Sequence, residues 1–487
     1  MDNILRLKSF GKLEQSKEVI IATLLGLFWV VLFLVYLNFF QTSLIFFFIF
    51  LICLAFIIFK VPEAGIHISI LSVMVFERWF SLEPLSFFDS AIKIYPLDVV
   101  LILTALAVFL NSRFKATVLP KKVSIPLLIF FGAIILWSVL SFFKGGDPNL
   151  IGSVVKNTIF YSLMLFIVVW HCRSQAEWKR VLASILIGGL LMIGFVLYGI
   201  LAGEGLWSSY TPLSTSGTRL LAATHAFFIV FPLYLLITLY AFQKKFLGKA
   251  DFIVLLIWMI GLIFSLFRNL WVGIALGVIL ILLFLEKKQI REFIIFFLKI
   301  LFLAIAFSVV LVWLFYLVTA DTSLFDSFTS AVTKRAASLN PFAIQDESAR
   351  FRLAAWEESW KQFTLSPLLG IGFGKEIEFE LSGNEYSIEV RELHNDYVAF
   401  ALQMGIIGFA TFVYFIMSMI KSGIGAVRRV SIELKPYLIA AFAFFCTFLA
   451  LSAMGTYWET NFFLLFFWLA LGLIIASANL KNKSQEI

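Results

Sequence analysis

Apolar runs long enough to carry an α-helix across ~30 Å of hydrocarbon recur along almost the whole chain, beginning at 19–37 and 43–59. Such a chain cannot bury all of these runs in a water-facing globule. The composition agrees: 61% of the 487 residues are hydrophobic, 14% are charged and 58 are Phe. The remaining runs fall at 62–78, 96–111, 124–143, 154–171, 180–202, 219–242, 252–267, 269–285, 293–318, 395–420, 434–453 and 460–478. The fold class expected is therefore all-α, a polytopic integral membrane protein of 12–14 spans. Its divisions are a helical region over 1–318, a large loop over 319–394 and three closing helices over 395–487.

Charge sets the orientation. With the amino terminus in the cytoplasm, alternate connections collect Lys60, Lys121, Lys122, Arg180, Lys244, Lys287, Arg428 and Arg429, among others. The intervening short connections hold little beyond Arg78, Lys93 and Lys144. The net charge of +8 thus follows from topology and calls for no nucleic acid partner. Both termini are expected inside, and the 76 residues of 319–394 outside, since long loops translocate whatever their charge. No cleavable signal peptide is expected, because one long apolar run follows another without a small-residue cleavage site. Cys53, Cys172 and Cys446 all fall in or beside spans, where no pair would staple an exported loop.

Several polar groups gather on the outer side. The stretch 251–285 is apolar except around Arg268-Asn269, and ~34 helical residues at 1.5 Å each would be ~51 Å, too long for one crossing. It must turn at Arg268. The two resulting spans are short, so the turn should lie below the outer surface and recess the cation; the plainer alternative is an arginine snorkelling to headgroups. Arg219 opens the eighth span in the same outer layer, and His225 lies about two turns deeper on that helix, where a core histidine is the plainer assignment. In the loop, 347–363 places Leu353, Trp356, Trp360 and Phe363 at helical spacing, an amphipathic helix that Ser366-Pro367 should end. Arg350 and Arg352 border it. The sequence SPLLGIGFG reads as a structural turn, since no strand precedes it to make a nucleotide fingerprint. Neither HExxH nor a cysteine pair at zinc spacing is present, so no metal site and no cofactor are expected.

FSLFRNLWVGIALG, one further span, a large external loop with Arg352-x-x-x-Trp356, SPLLGIGFG and then LHNDYVAFALQMGIIG follow one another over 264–408. In order, spacing and sidedness this resembles the O-antigen ligase and polymerase superfamily of GT-C type glycosyltransferases, most nearly O-antigen ligase. The resemblance implies transfer of a glycan from undecaprenyl pyrophosphate to an acceptor hydroxyl, on lipid A-core or another glycan, at the periplasmic face of the bacterial inner membrane. It implies His394 as the general base and Arg268 and Arg352 as ligands of the donor pyrophosphate. Arg391, Arg219, Arg350 and His225 are additional candidates that the motif does not assign.

A polymerase of the same superfamily is the main alternative. One large loop, with no arginine in it followed eleven residues later by glycine, favours the ligase. A protein O-oligosaccharyltransferase shares the carrier. A flippase or transporter would instead show repeated halves and charges near the midplane.

Overall fold

The computed structural model describes residues 2–39, 44–82, 84–85, 93–111, 119–202, 221–265, 267–319 and 347–481. The protein is an all-α polytopic membrane protein, and 81% of the described residues are helical. All fourteen apolar runs form helices. In chain order these are α1 (Asp2–Phe39), α2 (Leu44–Lys60), α3 (Pro62–Glu77), α4 (Pro96–Asn111), α5 (Lys121–Phe143), α6 (Pro148–Val155) continuing through a π-helical turn into α7 (Leu163–His171), and α8 (Gln175–Ala202). There follow α9 (Ala223–Ala241), α10 (Ala250–Phe264), α11 (Arg268–Leu282), α12 (Lys287–Thr319) and the loop helix α13 (Glu347–Leu365). The strands β1 (Glu376–Leu381) and β2 (Asn384–Glu389) then precede α14 (Asp396–Arg429), α15 (Lys435–Ser452) and α16 (Asn461–Lys481). Among the described residues nine helices are long and apolar enough to cross a membrane, and four more are apolar but shorter.

Burial separates core helices from lipid-facing ones. α9, α15 and α16 are buried over most of their length, with Phe227, Phe231, Phe444, Phe448 and Phe467 packed ring to ring between them. Helix α12 shows its sides to lipid, with Phe302, Val309 and Trp313 exposed. In lipid no water competes for backbone groups, so an apolar exterior and helices satisfied from within are the stable arrangement.

The connections that carry α13 and the hairpin lie at one end of the bundle, the loop end. The basic residues Lys60, Arg173, Arg180 and Lys244 lie at the other. There Glu63, buried at the start of α3, receives both Nε and Nη2 of Arg180 at 2.6 Å, with His67 at 3.4 Å and His171 at 3.3 Å. Three helices are tied by one carboxylate.

Two features differ from the sequence expectation. The apolar run expected to cross over 395–420 is broken at Gly405, which takes φ 63° and ψ −173°. A helix would have joined the amides of Ile406 and Ile407 to the carbonyls of Leu402 and Gln403. Here those amides donate to Pro367 and Leu368 O (2.8 and 3.3 Å), and those carbonyls accept from Ile371 and Gly372 N (3.0 Å each). The glycine-rich turn thus takes over all four groups that the break would orphan. The crossing helix begins at Ile406; its 24 residues to Arg429 span ~36 Å.

The second difference is an antiparallel hairpin, β1 paired with β2 in register Phe379↔Tyr386 and Glu380↔Glu385, closed by Ser382-Gly383 with φ 55° and 81°. Its apolar face, Ile377, Phe379 and Tyr386, packs with Phe351 and Ala355 of α13 and with Val390 and Leu393 in a small core of its own. The amphipathic helix expected over 347–363 is present and ends at Leu365. Ala355 faces that core, Trp356 and Phe363 are partly buried against it, and Leu353 and Trp360 stay exposed.

Candidate functional site

His394 lies between a 3-10 turn, Val390–Glu392, and the first turn of α14. Its backbone is left-handed at φ 53°, a conformation costly for a residue with a Cβ and held only where the surroundings fix it. Both sides are fixed. Ahead of it, Leu393 is buried and its carbonyl accepts the Trp356 indole N–H at 2.8 Å. Behind it, Asn395 caps α14 by accepting from Tyr397 N and Val398 N at 3.1 and 3.2 Å, and buried Asp396 accepts from Tyr457 N and Trp458 N at 2.9 and 3.2 Å. His394 keeps part of its surface exposed while its ring is partly desolvated.

Arg352 stands one helical turn before Trp356 on α13, partly buried, so the bond to Leu393 also sets its helix beside the histidine. Desolvation first, and the Arg352 charge second, lower the His394 pKa from its ordinary 6.5. At neutral pH the ring is therefore in the form that accepts a proton.

Arg268 is the first residue of α11. Helices α10 and α11 have 15 residues each, ~22 Å of rise, and the chain turns between them at Arg268, where the sequence arithmetic expects a turn. The turn is fastened by Trp271 Nε1, which donates to Leu262 O at 3.0 Å, and by Asn269 Nδ2, which donates to Met454 O at 2.9 Å. Met454 belongs to the connection 453–460, the one that holds Asp396. The Arg268 turn and the His394 segment are thus anchored to one short loop.

The other candidates fall as follows. Arg391 forms an ion pair with Glu389, donates to Ser153 Oγ at 3.4 Å and lines a polar cavity. Arg350 is exposed on the first turn of α13. Arg219 lies outside the described residues. His225 is buried on α9 with Nε2 3.5 Å from Glu77, to which Thr224 Oγ1 also donates at 2.8 Å. The sequence suggested no carboxylate for this histidine; the partner sits at the end of α3, and only the packing of α3 near α9 reveals it.

The glycine-rich turn is structural, as its sequence suggests. Gly370, Gly372 and Gly374 have φ of 66°, 97° and 70°, and a Cβ on Gly370 would lie 2.5 Å from the Gln403 backbone. Helix α5 holds the turn's other side: Trp137 Nε1 donates to Leu369 O at 2.9 Å, Lys144 Nζ donates to Gly370 O at 2.7 Å, and Ser141 Oγ accepts from Phe373 N at 2.6 Å. Among the described residues no group of three or more His, Cys, Asp or Glu is placed to hold a metal ion.

Residues 252–413 match the family model described as O-antigen ligase. That stretch contains Arg268, Arg352, Arg391 and His394, together with the turn, the hairpin and the Gly405 break. No curated protein matches the chain.

Proposed function

We propose that this chain belongs to the O-antigen ligase superfamily, whose model matches residues 252–413, and is a ligase that moves a glycan from undecaprenyl pyrophosphate to a hydroxyl of lipid A-core at the periplasmic face of the inner membrane. The match over 252–413 supports a ligase- or polymerase-type membrane glycosyltransferase.

The observation that carries the mechanism is His394, exposed yet locked in a left-handed backbone beside Arg352, with its pKa lowered. In one step the acceptor oxygen bonds to the anomeric carbon as the bond from that carbon to pyrophosphate oxygen breaks. The hydroxyl proton passes to the neutral imidazole of His394. The bonding electrons leave with the pyrophosphate, and its growing charge meets the guanidinium groups of Arg268 and Arg352. Fixed arginines in a recessed site stabilise that charge with little reorganisation and without a divalent cation. A single displacement inverts the anomeric configuration.

Ligase rather than polymerase is favoured by the single large loop and by the lack of an arginine in it followed eleven residues on by glycine. A deletion strain tests the choice. Bare lipid A-core with long polymer left on the carrier supports the ligase; core capped with single repeat units supports a polymerase.

A further inference from the structure

A cavity of about 270 Å³ opens at the loop end where four segments distant in sequence meet: Lys93–Tyr95 before α4, α6 with the turn that follows it, Arg391, and Glu459–Asn461. Its walls are polar, and the walls are braced. Asn157 Nδ2 donates to Glu459 O at 2.6 Å, Lys156 Nζ donates to Lys93 O at 2.5 Å, and Arg391 reaches Ser153.

The charges in these walls are not equally satisfied. Lys156 has a counterion in Asp98 at 2.5 Å, and Arg391 has one in Glu389. Glu459 has Oε2 buried with no hydrogen-bond partner in the protein. A buried carboxylate oxygen left without a donor is costly, and one such atom on a cavity wall marks where a ligand donor fits. Burial pushes the Glu459 carboxyl up to about 7, against the pull of Arg391 and with the push of Glu389. Two of the three lining cations, Lys156 and Arg391, already hold carboxylates and the third, Lys93, is exposed to solvent, so a phosphate gains little here. A ligand with several hydroxyl groups matches the open acceptor, the exposed Asn149 and the Tyr95 ring. Leu150 is the one aliphatic side chain among the lining residues, so an isoprenoid chain would find little to pack against.

We infer that this cavity is a sugar-binding subsite for the acceptor glycan, in which one hydroxyl hydrogen-bonds the Glu459 carboxyl group and others meet Asn149 and Arg391. The inference rests on the transferase function proposed above. Arg391 is three residues from His394, so a sugar held here brings a neighbouring hydroxyl toward the proposed base.

The test uses the purified full-length protein in lipid nanodiscs, with lipid-pyrophosphate-linked glycan as donor and host-strain lipid A-core as acceptor. Glu459→Gln, which keeps a neutral acceptor oxygen but loses the charge, should raise the acceptor KM about 3- to 10-fold, with donor KM and kcat within about twofold of wild type. Asn149→Ala, on an exposed surface where folding is not at stake, should raise the same KM by a smaller factor. If both variants keep the wild-type acceptor KM, or if the donor KM rises instead, the subsite is refuted. That failure is separate from failure of the transferase function, which His394→Ala tests in the same assay.

Discussion

The indole N–H of Trp356 donates to the carbonyl oxygen of Leu393 at 2.8 Å, which fastens the helix carrying Arg352 one residue from His394. Trp356→Phe removes the donor and keeps most of the ring. One neutral hydrogen bond contributes about 0.5–1.5 kcal/mol, so folding should survive. Since the bond positions the base, kcat should fall about 3- to 10-fold while the acceptor KM holds. An unchanged kcat would show that His394 is set by its own flanks alone.

The lowered pKa of His394 fixes the direction of a pH effect. A base must be unprotonated, so kcat/KM should decline only as pH falls below the ordinary imidazole value of 6.5. Arg352→Gln removes one of the two causes of the lowering, after desolvation. The acidic limb of the profile should then move to higher pH, besides the loss of rate from the missing guanidinium. A limb that stays in place would show that Arg352 does not act on the histidine.

Gly405→Ala should destabilise the fold by at least 1–3 kcal/mol, a penalty for left-handed backbone. Its Cβ would also lie 2.4 Å from Leu368 O. Detergent-solubilised variant should lose its monodisperse chromatographic peak at a lower temperature than wild type. Equal thermal stability would mean that α14 can run straight through this point.

How much of this was legible in the sequence depends on the range of the interaction. The turn at Arg268 follows from length alone, because an apolar run too long for one helix with one polar pair in its middle has to turn there. The register of Leu353, Trp356 and Phe363 gave the loop helix. The hairpin carries a period-two signal, Ile377, Phe379 and Leu381 alternating with Glu376, Glu378 and Glu380 before Ser382-Gly383, but six residues are a weak pattern beside the long apolar runs that surround them. Nothing local marks the Gly405 break, since the groups that satisfy it come from 367–372. For the same reason the pairing of His225 with Glu77, and the cavity around Glu459, needed the packed helices to be seen.

Orientation can be tested at two exposed serines, Ser382 at the hairpin tip and Ser431 in the connection between α14 and α15. In intact cells an impermeant thiol reagent should label Ser382→Cys and spare Ser431→Cys. The reverse pattern would put His394 in the cytoplasm, away from a periplasmic acceptor.

Transfer should be indifferent to chelation, because arginines supply the positive charge that a divalent cation supplies in other phosphate-displacing enzymes. Activity lost in EDTA and restored by Mg²⁺ or Mn²⁺ would contradict this.

The most direct measurement is single-turnover glycan transfer by purified His394→Ala protein, with donor binding followed in parallel. Loss of the general base should slow transfer ~10²- to 10⁴-fold while the pyrophosphate-linked donor binds as in wild type. Transfer at near the wild-type rate would contradict His394 as the base.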